Sequence, residues 1–298
     1  MASAENFNTL SAGKGSNSGF DSSMFKRKFF QIMKYVILTV GCLIVLIPLL
    51  VVFLGSLKDN REFLSSNVFA LPTHIEWSNY KTAFIDGKVL LGLKNTLIIL
   101  VISCFFTIIL GTMTAYVVQR FNTVMGRVMK AAFLCAQLFP SITMQVTVYS
   151  IMNKFGLVGT MGAPIILYIG TDIISIYIFI QFLNNISYSL DESAYMDGAN
   201  YFTIYFKIIL PNLKPAIATV LIIKIISIYN DFYTANLYMP SEELSVVSTS
   251  LYRFMGPYGA KWEIIFAGIV ICTVPVLIIF LFLQKYIYAG LTNGAVKE

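Results

Sequence analysis

The chain has 298 residues, of which 57% are hydrophobic and only 12% charged; soluble domains run at about 45–50% apolar and about 25% charged, so a water-soluble fold is excluded. With about 20 apolar residues needed per helical crossing, this length allows roughly six spans and no sizeable soluble or enzymatic domain. The net charge of +6 does not point to nucleic acid, because no run or stripe of Lys and Arg occurs outside Lys26, Arg27 and Lys28.

In chain order, residues 1–24 are rich in Ser, Asn, Gly and Ala, too poor in large apolar groups to offset the entropy of ordering, and are expected to form a disordered tail. Gly13-Lys14-Gly15 is no phosphate loop, and a Walker A pattern occurs nowhere in the chain. No cleavable signal peptide is expected, because the first apolar run ends at Lys58 rather than at small residues. Six apolar segments follow: Met33 to Leu57, Leu91 to Val117, Val128 to Met152, Gly162 to Leu183, Pro215 to Ala235 and Ile264 to Gln284. Helix is their expected state, since backbone in lipid must satisfy its own hydrogen bonds and the alternation of a barrel strand is absent. Pro48 and Pro275 are expected to kink the first and last spans. Cys42, Cys104, Cys135 and Cys272 sit in apolar runs, where thiols behave as small hydrophobes. His74 is the only histidine, which argues against His-based metal clusters.

Six spans put both termini on one side. Lys26, Arg27, Lys28 and Lys34 before the first span, with Arg120, Arg127 and Lys130 after the second, predict that this side is cytoplasmic. The inner loops are then 118–127 and 184–214, the outer ones 58–90, 153–161 and 236–262. In the second inner loop Ser189-Leu190-Asp191-Glu192 has the form of a capping box, predicting a helix from Leu190. Gly198 permits a turn, a helix rich in aromatics follows through Tyr201, Phe202, Tyr205 and Phe206, and Pro211 and Pro215 restart the chain into the fifth span. A helical hairpin with exposed aromatics at a water boundary suits a partner's groove or the lipid headgroups equally well.

The spacing carries more than this. Glu192-Ser193-Ala194, three residues, Gly198, nine residues and Ile208-Ile209-Leu210-Pro211 resemble the EAA loop of ABC-importer permeases, with Ser193 where the family has Ala and Asp197-Gly198-Ala199 matching its fuller form. The tail from Gly290 through Gly294 to Lys297 looks like that of the second permease subunit in maltose-type carbohydrate importers, apart from a terminal Glu298 in place of the usual Gly. Phe69-Ala70-Leu71-Pro72, Lys94-Asn95-Thr96, Gly156-Leu157 and Tyr229-Asn230-Asp231-Phe232 extend the resemblance over residues 30–298.

The resemblance implies an all-α, polytopic membrane protein with six transmembrane helices, the type I importer permease fold, cytoplasmic termini and residence in a bacterial plasma membrane. Residues 25–298 would be the permease domain, with a coupling loop at 189–211 and a cytoplasmic tail at 286–298. Glu192, Ser193, Ala194, Asp197, Gly198, Ala199, Ile208, Leu210 and Pro211 would engage an ATPase subunit, and Gly290, Gly294 and Lys297 would run along the ATPase dimer interface. It also implies a homologous permease chain in a heterodimer, two ATP-binding subunits, an extracytoplasmic sugar-binding protein and a sugar substrate. The chain itself would bind no cofactor and perform no covalent chemistry, ATP and Mg belonging to the partner ATPase. Ser248, Ser250, Tyr252 and Gly256 in the last outer loop resemble the segment that reaches into the binding protein's cleft.

Lys224, Ser227, Asp231 and Thr234 fall at i, i+3, i+7 and i+10, with Asn230 beside them. On one continuous helix they form a polar stripe, a candidate border of the translocation path or a purely packing network. Asp172, after Gly170-Thr171, is a candidate local break. A permease for peptide, phosphate or polyol phosphate is the alternative, and a secondary transporter is disfavoured by the absence of a convincing inverted repeat.

Overall fold

A computed structural model describes residues 18–295 apart from 122, 171, 257 and 258, with the side chains of 18–25, 141, 283 and 285–295 left out. Residues 1–17 of the expected tail and Lys297 lie outside the described residues. The chain divides into two compact units, residues 1–51 and 52–298.

The first helix, α1 (Ser18–Ser56), is continuous through Pro48 and starts inside the segment expected to be disordered. Short α2 (Asn60–Ser65) and α3 (Ser78–Ile85) lead to α4 (Val89–Arg120), a helix of 32 residues. The next expected span is two helices, α5 (Val124–Gln137) and α6 (Ser141–Lys154), bent by 109°. Pro140 explains the bend: it cannot donate a backbone hydrogen bond and it disfavours helical geometry at Phe139. The fourth span is α7 (Gly162–Gly170) followed by α8 (Ile173–Leu183), restarted by Asp172, which accepts from Ser175 N at 3.3 Å and Ser175 Oγ at 2.6 Å.

Then come α9 (Ser189–Met196) and α10 (Tyr201–Ile204), which passes through a π-turn at Tyr205–Ile209 into α11 (Leu210–Asn212). Helix α12 (Lys214–Asn230) follows at 70° to that stretch and stops at Asp231. Asp231 accepts from Thr234 N at 2.9 Å and opens α13 (Tyr233–Tyr238). The expected unbroken span from Pro215 to Ala235 is therefore interrupted by a side chain that competes for backbone donors. Helix α14 (Val247–Ser250), a two-residue hairpin of β1 (Met255–Gly256) and β2 (Gly259–Ala260), and α15 (Trp262–Ala295), which is continuous through Pro275, complete the chain.

Among the described residues four helices are long and apolar enough to cross a membrane, and the two bent pairs bring the number up to six. Contacts at the two ends of α4 place the start and the finish of the α5–α6 pair in different groups. At the Arg120 end, Lys130 of α5 donates to Gln119 Oε1 at 2.6 Å and Arg120 Nη2 donates to Ile186 O at 2.9 Å. At the Val89 end, Asn95 donates to Glu243 O and Ser245 O, both at 2.9 Å. Gly159, just beyond α6, donates to Tyr238 O at 2.8 Å and so belongs with this second group.

The largest core lies toward the Arg120 end, where Ala115, Tyr116, Phe179, Leu183, Ile204, Ile209, Leu213 and Val220 are buried together. A second cluster at the other end joins Ile99, Ile228, Ala235, Met239 and Val246. The two cores share α4 and α12, so the loop clusters at both ends are built on the same rigid elements.

Candidate functional site

The 189–211 segment is a helical hairpin whose turn closes as a Schellman motif. Ala199 N donates to Ala194 O and Gly198 N to Tyr195 O, each at 3.0 Å. Gly198 has φ +83°, and a Cβ there would meet nothing within 4 Å, so the glycine is required by backbone angle alone. Asn200 restarts the chain by accepting from Thr203 N at 2.8 Å, an N-cap that is plain in the sequence only once the turn is known.

The predicted capping box does not form. Helix α9 begins at Ser189, one residue early, and Tyr188 precedes it without a side-chain cap. The Ser189 hydroxyl is instead bonded to Ser187 Oγ at 2.7 Å. Asp191 is turned inward, where its Oδ2 lies 3.2 Å from Arg120 Nε with both side chains buried. Burial raises the Asp191 carboxyl above its ordinary value, against the opposing pull of Arg120 and Tyr116. The sequence reading missed this partner, because a charge at a span end serves orientation as readily as pairing.

The EAA-like residues divide by face. Ala194 is buried in the large core, Ala199, Ile208 and Leu210 are half-buried, and Glu192, Ser193, Asp197, Gly198 and Pro211 are exposed. Tyr195, Met196, Tyr201 and Phe202 are exposed beside them. Glu192 and Tyr195 share a cleft of about 770 Å³ with Tyr116, Arg120, Tyr188 and Tyr201. The lining mixes aromatic and apolar side chains with the charged Arg120, Asp191 and Glu192.

The polar stripe is split. Lys224 Nζ lies 2.8 Å from Asp172 Oδ2 and donates to Tyr168 O at 2.5 Å. Tyr168 in turn donates to Asp231 Oδ2 at 2.9 Å. These charges face inward and are satisfied within the chain, whereas Ser227 and Asn230 are exposed together on α12. Thr234 is half-buried beyond the helix break, so the five residues do not form one helix face.

In the 236–262 segment Ser250 is fully buried and donates to Val247 O at 2.9 Å, and Ser248 donates to Asp231 O at 2.8 Å. These two side chains anchor the loop, while Tyr252 and Gly256 are exposed. Gly290 and Gly294 continue α15.

Together these features define a multi-pass membrane protein with a closed helical hairpin at one end of its helices and an anchored loop at the other. The sequence matches the family described as binding-protein-dependent transport system inner membrane component over residues 107–293. It is 33% identical to the multiple sugar-binding transport system permease protein of Streptococcus mutans, with 91% of this chain and 99% of that protein covered. It is 29% identical to a probable starch degradation products transport system permease protein of Thermoanaerobacterium thermosulfurigenes, over 90% of this chain and 98% of that one. In structure it is similar to a chain of a bacterial ABC transporter involved in alginate import, with a TM-score of 0.77, 23% identity, and 88% of this chain and 97% of that chain covered; this last likeness establishes the fold alone.

The chain belongs to the binding-protein-dependent transport system inner membrane components. It is a permease subunit of an ABC importer and not an enzyme. Membership brings a partner permease, ATP-binding subunits and a substrate-binding protein as the machinery around it.

Proposed function

We propose that this chain is one half of a heterodimeric sugar permease, paired with a related but different permease chain, driven by two cytoplasmic ATPases and loaded by an extracytoplasmic sugar-binding protein. The α9–α10 hairpin lies on the cytoplasmic side and docks into the ATPase, with Glu192, Ser193, Asp197 and Gly198 on the contact face and Ala194, Ala199, Ile208, Leu210 and Pro211 holding its shape. The 236–262 loop faces the binding protein through Tyr252 and Gly256, with Ser248 and Ser250 as its anchors. Ser227 and Asn230 border the translocation path and offer hydrogen bonds to sugar hydroxyls, while Lys224, Asp231 and Thr234 support them from behind. Gly290, Gly294 and Lys297 run along the ATPases.

The observation that carries this reading is the closed Schellman turn, which presents exposed aromatic and acidic residues on a rigid hairpin at the membrane end opposite the 236–262 loop. The sugar class rests on the relatives named above, two of which are sugar permeases by name. The test is ATP-dependent sugar uptake by the whole complex in vesicles, comparing the natural chain with Gly198→Asp. An L-residue in the left-handed region costs up to about 1–2 kcal/mol, least for Asn and Asp, and the added carboxylate places a charge on the contact face. Uptake should fall to background while the permease pair remains assembled; ATP-dependent uptake that continues unchanged would refute the docking role.

A further inference from the structure

Arg120 ends α4 and Asp191 lies in the first turn of α9, with side-chain exposures of only 8% and 10%. The same guanidinium donates to Ile186 O at 2.9 Å and sits 5.4 Å from the centroid of the Tyr188 ring. One side chain therefore holds three points along residues 186–191. At the other end of α4, Asn95 donates to two carbonyls of the 243–245 segment and Thr96 Oγ1 accepts from Val247 N at 3.0 Å. Gly92 permits this approach, because a Cβ there would lie 3.1 Å from the Val246 carbonyl carbon.

From Asn95 to Arg120 a helix spans about 37 Å at about 1.5 Å per residue. Both of its ends are fixed to loops by buried polar contacts, and such contacts do not slip by degrees. Parting Arg120 from Asp191 would leave a buried charge uncompensated. The 243–247 segment and the hairpin are thus bonded to opposite ends of one helix.

We propose that Arg120 and Asp191 are positioning residues that form the joint between α4 and the α9–α10 hairpin, through which occupancy of the 236–262 loop by the binding protein reaches the ATPase-docking face. This rests on the function proposed above. Glu192 and its exposed neighbours make the contact with the ATPase, whereas Arg120 and Asp191 act only through the hairpin they orient.

The test uses the complete complex in proteoliposomes and reads sugar imported per ATP hydrolysed, together with the ratio of binding-protein-stimulated to basal ATP hydrolysis. Allosteric couplings are commonly worth 5- to 150-fold, so Arg120→Gln should lower both ratios by about tenfold. Arg120→Met with Asp191→Leu removes both buried charges, an exchange proteins often tolerate with little loss of stability, and it should assemble yet remain uncoupled. Natural ratios in an assembled Arg120→Gln complex, or in the double variant, overturn the proposal. Asn95→Ala, at the far end of the helix, should lose stimulation and keep basal hydrolysis; full stimulation there also overturns it. If Gly198→Asp imports sugar normally, the docking function itself fails; if Gly198→Asp is inactive while all three variants couple normally, only the joint is lost.

Discussion

Glu242 is exposed, with Lys88 Nζ at 2.9 Å and Arg253 Nη1 at 3.6 Å. The hydrogen bond from Lys88, then the charges of Arg253 and Lys88, hold its carboxyl below the ordinary 4.5. A lowered carboxylate stabilises the folded form above its unfolded value, and that contribution is lost as pH falls through the folded one. Local opening of the loop should therefore increase as pH drops below about 4.5, in the window set by this lowering. Hydrogen exchange at the Ser245 amide, which donates to Glu242 O at 3.2 Å, corrected for intrinsic rate, would report it. Glu242→Gln should remove the step, and an identical step in that variant would show that another group is responsible. At this scale the sequence was legible wherever a residue's role is local. Gly198 was read as a turn because only glycine takes that angle freely, and its φ is +83°. For Asp191 the local pattern gives only a place in a first helical turn, because its partner Arg120 is 71 positions away in sequence.

Elements break where side chains compete for backbone donors or where a proline such as Pro140 removes one, and hydropathy does not register this. The segment 162–183 is apolar enough to count as one span, yet Asp172 caps α8 from within it, and Asp231 likewise ends α12 inside an apolar run. The partners of both carboxylates depend on which helices become neighbours. The Asp172–Lys224 pair makes this testable, since it joins the α7–α8 break to α12 at 2.8 Å. Asp172→Asn keeps a capping oxygen for Ser175 while stranding the Lys224 ammonium, at a cost of about 3–5 kcal/mol for a broken buried pair. Adding Lys224→Met should restore most of that loss, because the stranded charge is gone. Thermal unfolding of the purified complex measures both, and a double variant no more stable than Asp172→Asn alone would show that the two groups are not coupled.

For the molecule as a whole, the six apolar runs coincide with the long helices and the bent pairs, but hydropathy does not decide which runs cross. The bent α5–α6 pair is the case in point, because a 109° turn is compatible with a re-entrant hairpin by composition alone. Within residues 52–298 contacts separate its two ends: Arg120 bonds to Ile186 at one, and Gly159 bonds to Tyr238 at the other. Between residues 120 and 186 the chain must cross an even number of times, so if 162–183 spans, then 124–154 does too. Single cysteines introduced at Leu71, Phe155 and Asn185, all exposed, into a chain with its four natural cysteines replaced, make this measurable with a membrane-impermeant thiol reagent. Leu71→Cys and Phe155→Cys should react from the face opposite the ATPases, and Asn185→Cys only from the ATPase face. If Phe155→Cys reacted from the same face as Asn185→Cys, residues 162–183 would not cross, and because Arg120 bonds to Ile186 the α5–α6 pair would be re-entrant as well. Separate faces would leave α4 as a helix with one end at each surface, the arrangement that the Arg120–Asp191 joint requires.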